Sequence, residues 1–174
     1  MKLKFYSHRF AEEVLKSPKY IDYYNNVVSI FENCPVFVLD EPKRRTRGKK
    51  SLVFTTNQSK INNYIKDMFR YYNWEIEPLI TNDDLTKIKA DYKKDIIQIE
   101  VQFGNMARWY ADIFKFQISY SLGLIDIGIS VIPTKIFAKS IDENVVFFER
   151  AIRELKYAKM SVAMPILIIG LDVD

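Results

Sequence analysis

Residues 91–105 read DYKKDIIQIEVQFGN, and the pattern inside this stretch decides the fold prediction. Apolar and polar side chains alternate from Asp95 to Phe103, which is the period of two that a β-strand with two different faces requires. The polar face of this strand carries Gln98, Glu100 and Gln102. We therefore predict a half-buried strand that presents Glu100 and Gln102 side by side.

Asp91 lies nine residues before Glu100 and gives this strand a chemical interpretation. Two carboxylates, with a third polar residue two positions beyond the second, are the working set of nucleases that hold Mg²⁺ against a phosphodiester. The third residue of such sites is commonly a lysine, and here it is Gln102. The plainer interpretation is a solvated strand edge, with Asp91 at the start of a turn over residues 92–95.

The composition describes a chain that can bury a full core. The sequence has 174 residues, of which 48% are hydrophobic and 14% aromatic, and this length fits one domain. We predict a single domain over residues 1–174. Within it, residues 1–50 form an N-terminal helical segment and a basic loop, and residues 51–174 form the catalytic core.

The positive charge of the chain is concentrated in one segment. The formal net charge is +4, a mild excess that permits a polyanionic partner without requiring one. Six cations lie between Pro42 and Ser51, and they are Lys43, Arg44, Arg45, Arg47, Lys49 and Lys50. This run predicts a loop that contacts phosphates, with a merely solvated basic loop as the alternative.

Several classes of site and of protein are disfavoured. Cys34 is the only cysteine, which excludes an intramolecular disulfide framework and a zinc cluster and fits a reducing cytoplasm. His8 is the only histidine, so a Ser-His-Asp triad is not expected. No stretch is apolar over the length that spans a bilayer, and residues 1–4 lack the core of a signal peptide. We expect a soluble cytoplasmic protein without a membrane partner.

Helix caps and apolar periodicity predict the remaining elements. In chain order they are a helix after Ser17-Pro18 with Val28 and Phe31 inward, a strand at 36–39, a helix capped by Asn57 or Ser59, a strand ending at Asp91, the alternating strand, a helix over 107–120 with Tyr120 inward, a buried strand over 124–132, a helix capped by Asp142, and a strand over 165–171.

From Asn57 onward this order resembles the αβββαβ core of the PD-(D/E)xK nucleases. The predicted fold class is therefore α/β, with a mixed sheet, a restriction-endonuclease-like core and N-terminal helices. In that core Asp91 and Glu100 fall where the metal-binding carboxylates belong. A two-residue turn at Lys93-Lys94 would put Glu100 opposite Lys87, so a wider connection or splayed strands are needed.

Segments from about Ser51 to the C-terminus resemble the BglII/BstYI-type type II restriction endonucleases. The most specific segment is the run from Glu100 to Asn105, preceded by Asp91. The other matching segments are Leu52-Val53-Phe54, Thr56-Asn57-Gln58, Tyr64-Ile65-Lys66-Asp67, Phe114-Lys115, Thr134-Lys135, Phe148-Glu149, Pro165-Ile166 and Gly170-Leu171.

The resemblance implies Mg²⁺-dependent hydrolysis of double-stranded DNA at a short palindrome that contains GATC, leaving 5′-phosphates. It implies a symmetric homodimer, and a cognate DNA methyltransferase acting on the same site would be its natural companion. By position, Asp91 and Glu100 would ligate the metal and the backbone carbonyl of Val101 would add a ligand. Gln102 would stand where other nucleases keep lysine, and Glu75 would be a further polar residue of the catalytic set.

The resemblance also implies a set of DNA-contacting residues. Asn105 matches an asparagine of the family's DNA-reading loop, and Arg108 lies near a DNA-contacting arginine. Asn144, together with residues 140–143, corresponds to a second recognition loop. Asn bidentate to adenine and Arg bidentate to guanine are the contacts that such residues make in the major groove. The cations Lys43, Arg44, Arg45 and Arg47 would add phosphate contacts.

Two departures from the family pattern leave alternatives open. The chain ends at Asp174, so we expect no C-terminal extension with further DNA contacts, and Gly104 stands where a relative carries serine. One alternative is another PD-(D/E)xK nuclease, a repair or junction-resolving enzyme that reads DNA structure. The other is a catalytically inactive DNA-binding relative, which the absent lysine favours.

Overall fold

A mixed β-sheet with helices on both faces carries the alternating stretch. The computed structural model describes residues 1–48, 50–81 and 85–173. The strands are β1 Lys2–His8, β2 Val38–Arg47, β3 Lys50–Thr56, β4 Glu75–Ile76, β5 Tyr92–Lys94, β6 Ile97–Val101, β7 Ile127–Pro133 and β8 Ile166–Asp172. The helices are α1 Ala11–Leu15, α2 Ile21–Glu32, α3 Gln58–Tyr71, α4 Met106–Ser121, α5 Lys135–Ile141 and α6 Phe148–Tyr157. None of the helices in the described ranges is long and apolar enough to cross a membrane.

The six-stranded sheet has the order β1-β8-β7-β6-β5-β4, and β2 and β3 form a separate two-stranded ribbon. β6, β7 and β8 are parallel, whereas β1, β5 and β4 join the sheet in antiparallel pairs. Parallel neighbours need crossover connections. Helix α4 supplies the connection from β6 to β7, and α5 and α6 supply the one from β7 to β8.

The sheet separates two apolar cores. On one face Ile97 and Ile99 of β6 pack with residues of α1, α2, α3 and α5. The other face packs with α4 and α6, and its core includes Trp109 and Phe116 of α4. The polar side chains of β6 point toward this second face, and Gln98 and Glu100 are fully buried there. The predicted half-buried strand is therefore wrong, because α4 covers the polar face of β6.

Residues 1–50 contain more strand than the sequence pattern predicted. β1 pairs antiparallel with β8 along its whole length, and Leu3 and Phe5 pack against the first core. The predicted strand at 36–39 is the start of the long strand β2. The basic run is also not a loop, because residues 43–47 pair with β3 and Gly48 turns the chain with a φ of 59°. Lys49 lies outside the described residues.

One predicted helix cap is confirmed and two are wrong. Asn57 caps α3, and its side-chain oxygen accepts a hydrogen bond from the Lys60 N–H at 3.1 Å. The helix predicted after Ser17-Pro18 begins only at Ile21. Asp142 does not begin a helix, because it follows the last residue of α5, and the next helix begins at Phe148.

The inward face of α4 is more polar than its apolar pattern indicated. Its buried residues are Trp109, Asp112, Phe116 and Ser119. Tyr120, predicted to face inward, is 42% exposed. Because Asp112 and Ser119 pair with polar residues of β6, a search for apolar periodicity alone could not find this face.

Gly128 of β7 provides a test of how closely α4 packs on the sheet. A Cβ at this position would lie 2.8 Å from the ring of Phe116. We expect Gly128→Ala to lower the free energy of unfolding by about 1–3 kcal/mol, because a packed core cannot absorb the extra carbon. Urea denaturation measures this change.

The matched variant is Gly128→Ala with Phe116→Leu, which removes the ring that the new methyl group meets. The loss in the double variant should be smaller than the sum of the losses in the single variants. Additive losses would show that the ring and Gly128 do not constrain each other.

Candidate active site

The β5–β6 hairpin sets the geometry around Asp91. Its turn lies at Asp95-Ile96, not at Lys93-Lys94 as the sequence prediction assumed. Asp95 adopts a left-handed backbone with a φ of 49°, which tight turns need and aspartate tolerates. Tyr92 pairs with Ile99, so the same register brings Asp91 opposite Glu100. No wider connection or splaying of strands is required.

The register of the next strand adds a third carboxylate to the row. Ile76 of β4 pairs with Tyr92, and the Glu77 N–H donates to the Asp91 carbonyl at 2.9 Å. Glu77, Asp91 and Glu100 therefore occupy corresponding positions at the ends of three adjacent strands. Directly opposite positions in a sheet are about 5 Å apart, so Asp91 lies between Glu77 and Glu100 as the neighbour of each.

A cavity of about 290 Å³ opens beside Asp91. Its lining includes Glu77, Val101, Asn62, Asn63 and Lys66, so residues of α3 close the side opposite the hairpin. The Asp91 carboxylate accepts a hydrogen bond from the Val101 N–H at 2.8 Å, which fixes its orientation. Lys66 lies 3.6 Å from Glu77.

Glu100 is held from the other side by α4. Lys115 Nζ lies 2.5 Å from Glu100 Oε2 and 3.0 Å from Asp112 Oδ1. The other oxygen of Glu100 accepts from the Gln98 amide at 2.8 Å, and Gln98 accepts from the Ser119 hydroxyl. Glu100 thus has partners on both oxygens although it is fully buried.

Gln102 is also fixed at both ends of its amide. Its Nε2 donates to Asp112 Oδ2 at 2.7 Å, and its Oε1 accepts from the Gly104 N–H at 2.8 Å. A Cβ on Gly104 would lie 2.6 Å from that Oε1. Glycine at 104 therefore leaves room for the Gln102 amide, which a serine would push aside.

Burial and mutual repulsion disfavour the ionised forms of Asp91 and Glu100. Burial raises the pKa of Asp91 and outweighs the Val101 N–H, which lowers it. Burial and then the negative charge of Asp91 raise the pKa of Glu100, although Lys115 opposes the shift. Burial lowers the pKa of Lys115, but attraction by Glu100 and Asp112 outweighs that effect and raises it. A divalent cation would relieve this repulsion.

Glu75 lies apart from this region. It is exposed, it pairs with Lys93, and it is absent from the lining of the cavity beside Asp91. Glu77, two residues further along the chain, is the residue whose backbone N–H bonds to Asp91. Correct pairing of the hairpin strands would have identified Glu77 as a neighbour of Asp91. The apolar periodicity of α4 gave no indication that Asp112 and Lys115 face the sheet.

The structure brings the predicted DNA-reading residues together. Asn105, Arg108 and Asn144 line a cavity of about 200 Å³, and the Val146 N–H donates to the Gly104 carbonyl and joins the two segments. Asn105 is also the N-cap of α4, and its oxygen accepts from the Arg108 N–H at 3.1 Å. Its Oδ1 is therefore already engaged before any base is bound.

Two of the four predicted phosphate-binding cations are engaged in ion pairs. Arg47 lies 3.0 Å from Glu143, and Arg45 lies 3.6 Å from Asp142 and 3.7 Å from Glu143. These pairs connect the β2–β3 ribbon to the segment around Asn144. Lys43 instead lines a cavity of about 470 Å³ that shares Asn62 and Asn63 with the cavity beside Asp91.

The fold is that of solved restriction endonucleases. The chain is similar to a crystal structure of restriction endonuclease BglII complexed with a DNA 16-mer, with a TM-score of 0.77 and 19% identity over 100% of this chain and 78% of that chain. It is also similar to a crystal structure of free BglII, with a TM-score of 0.70 and 18% identity over 100% of this chain and 81% of that one. No curated protein matches the chain significantly.

The sequence profile described as restriction endonuclease BglII/BglIII matches residues 3–171. The chain therefore belongs to this family of type II restriction endonucleases, which are enzymes that hydrolyse DNA at specific sites. Restriction endonucleases generally use divalent metal ions. Among the described residues, no group of three or more His, Cys, Asp or Glu side chains is arranged so that it could hold a metal ion.

The raised pKa of Asp91 predicts how stability depends on pH. Between the ordinary and the raised pKa, the metal-free folded chain binds more protons than the unfolded chain, so this carboxylate lowers stability as the pH rises. Asp91→Asn does not titrate and keeps an acceptor for the Val101 N–H. Its stability relative to the wild type should therefore increase from pH 4 to pH 8 in urea denaturation without metal.

Asp126→Asn is the matched control of opposite sign. A hydrogen bond from Tyr20 lowers the pKa of Asp126, so this carboxylate stabilises the fold above its unfolded pKa. The Asp126→Asn variant should lose stability relative to the wild type as the pH rises. Equal pH profiles for both variants would contradict the assignment of Asp91.

Proposed function

We propose that this chain is a Mg²⁺-dependent type II restriction endonuclease that cleaves double-stranded DNA at a short palindrome containing GATC. The observation that carries the proposal is the register that aligns Glu77, Asp91 and Glu100. The family supports site-specific DNA hydrolysis, and the DNA complex of the similar BglII structure supports a duplex substrate. The metal and the GATC site are our inference from the sequence resemblance.

The donor set fits Mg²⁺. In proteins this ion usually binds through one or two carboxylates, with water and substrate phosphate completing its octahedron. Asp91 and Glu100 would be the side-chain ligands, and Val101, which lines the same cavity as Asp91, would add its carbonyl. Glu77 would take the role of the third carboxylate, in place of Glu75. Bound Mg²⁺ would polarise the phosphate, activate water and neutralise the leaving oxygen.

The protein groups position the remaining participants. In the reaction a water oxygen bonds to phosphorus as the bond from phosphorus to the 3′-oxygen breaks, which leaves a 5′-phosphate and a 3′-hydroxyl. Gln102 keeps one N–H and one lone pair beyond its bonds to Asp112 and Gly104, and these can orient the attacking water. Glu77 can accept a hydrogen bond from the same water network.

The shape of the surface supports a path for the DNA backbone. The cavities beside Asp91 and beside Lys43 share Asn62 and Asn63 in their linings, so they lie next to each other along α3. Lys43 would neutralise phosphates there, and Arg44 would add a cation on the other face of β2. Arg45 and Arg47 could exchange Asp142 and Glu143 for phosphate. Asn105, Arg108 and Asn144 would read the bases from their shared cavity.

The exposed face of α4 supports a homodimer. Phe114 is 66% exposed and Tyr110 is 48% exposed, and Ala107 and Ala111 lie on the same exposed side. Cutting both strands of a palindrome requires two equivalent sites, which a two-fold dimer provides. We propose that this face of α4 pairs with its copy. A methyltransferase that protects the same sites, and a cytoplasmic location beside the DNA, complete the proposal.

Cleavage of unmethylated phage DNA tests the function. We expect the purified chain with Mg²⁺ to give discrete fragments, and Asp91→Ala and Glu100→Ala to lose them by a factor of at least about 100, because each removes a metal ligand. The fragment ends can be sequenced to identify the site. DNA that stays intact but is retarded in a gel shift would instead indicate an inactive binding protein.

Glu77→Gln and Glu75→Gln form the matched pair for the third carboxylate. They change the same functional group two residues apart, and only Glu77 lines the cavity beside Asp91. The first variant should slow cleavage and the second should not. The reverse result would return the role to Glu75, as the sequence resemblance first implied.

A charge on the exposed face of α4 tests the dimer. We expect Phe114→Glu to shift the protein from dimer to monomer in sedimentation velocity, because it replaces the most exposed aromatic side chain of this face with a charge that the dimer would bury. Ile136→Glu is the control, since Ile136 is 64% exposed on α5, on the opposite side of the sheet. A Phe114→Glu protein that remains dimeric would rule out this interface.

A further inference from the structure

Residue 102 is glutamine, so the sequence shows no cation at the position where other nucleases of this type commonly have a lysine. The structure shows a cation there, but it comes from another element. Lys115 projects from α4 and places its Nζ 2.5 Å from Glu100 Oε2. Gln102, which holds the position of the absent lysine, is instead tied to Asp112 and to the Gly104 N–H.

The spacing of α4 explains why Lys115 reaches the strand. Residues 112, 115 and 119 lie on one side of the helix, about 5 Å apart along its axis. They contact Gln102, Glu100 and Gln98, which are about 6.6 Å apart along β6. The spacing of these side chains along α4 nearly equals the spacing of their partners along the strand. Lys115 therefore lies opposite the middle partner, Glu100. An uncharged residue at 115 would leave that carboxylate without its charged partner.

Lys115 keeps capacity for a further contact. An ammonium group has three N–H donors, and the contacts with Glu100 and Asp112 use two of them. The Lys115 side chain is 23% exposed, whereas those of Glu100 and Asp112 are 0% and 5% exposed. Of the three charged groups, it is therefore the one with the greatest access to a ligand that enters from solvent.

We propose that Lys115 is the active-site cation of this enzyme and stands in for the lysine that is absent at 102. It holds Glu100 and Asp112 in place, and its remaining donor binds an oxygen of the scissile phosphate beside the metal. Through Asp112 it also fixes Gln102. The proposal rests on the proposed function, since it requires a phosphodiester substrate and a metal at Glu100.

The test compares Lys115→Gln with Lys115→Arg in the full-length chain. The glutamine amide can still donate to Glu100 but carries no charge, and arginine keeps the charge. At saturating Mg²⁺ we expect Lys115→Gln to cut phage DNA about 100-fold more slowly than the wild type, and Lys115→Arg to lose less. Lys16→Gln is the control, because it removes an ion-paired lysine at the end of α1, remote in sequence from the carboxylates.

A calorimetric titration with Mn²⁺ alone, without DNA, separates this role from a structural one. Removing a cation next to a metal ligand should leave Mn²⁺ affinity equal to or greater than that of the wild type. Slower cleavage with undiminished Mn²⁺ affinity supports the proposal. Slower cleavage with weaker Mn²⁺ binding would show that Lys115 only supports the fold, and would overturn it.

The outcomes also separate this proposal from the proposed function. If the wild type cuts no DNA with any divalent metal, both fail. If the wild type cuts and Lys115→Gln cuts at the same rate, only the assignment of Lys115 fails. Melting curves show which variants are folded at the assay temperature. If Lys115→Gln melts below it, Lys115→Arg decides, and complete loss of cutting in that folded variant overturns the proposal.

Discussion

The buried polar contacts between β6 and α4 are the constraint on which the rest of the site depends. Ser119, Lys115 and Asp112 of the helix meet Gln98, Glu100 and Gln102 of the strand. Without these partners, a fully buried carboxylate in an interior strand of the sheet would cost several kcal/mol. The helix therefore does more than cover the sheet, because it makes a charged residue tolerable inside it. It also fixes the orientation of Glu100 and Gln102, two of the side chains that the proposed chemistry uses.

The turn at Asp95-Ile96 is the second constraint, and it acts through register. Antiparallel pairing from this turn aligns Asp91 with Glu100, and pairing with β4 adds Glu77 to the row. A slip of one residue would move each side chain to the opposite face of the sheet. The left-handed backbone of Asp95 is thus a local feature with a consequence for the whole carboxylate row.

The same arrangement connects stability with activity. Carboxylates that repel one another in the metal-free chain are a cost to the fold, and strong apolar packing on both faces of the sheet offsets it. Ion pairs between the β2–β3 ribbon and the segment around Asn144 hold the two parts of the proposed DNA surface together. The two arginines are exposed, so exchanging their carboxylate partners for phosphate changes the free energy little.

The sequence by itself determined the fold class, the order of α3, β6, α4, β7, α6 and β8, the family, and the candidates Asp91, Glu100 and Gln102. These follow from local patterns, namely strand alternation, the Asn57 cap and a short specific motif. Only the tertiary structure decided the turn position, the membership of Glu77 in the row, the strand β1 and the contact of Lys115 with Glu100. Pairing register and the polar inner face of α4 decide these features, and both depend on residues that are distant in sequence. Apolar periodicity carries no information about them, because a buried Asp or Lys is recognisable only from the partner that it meets.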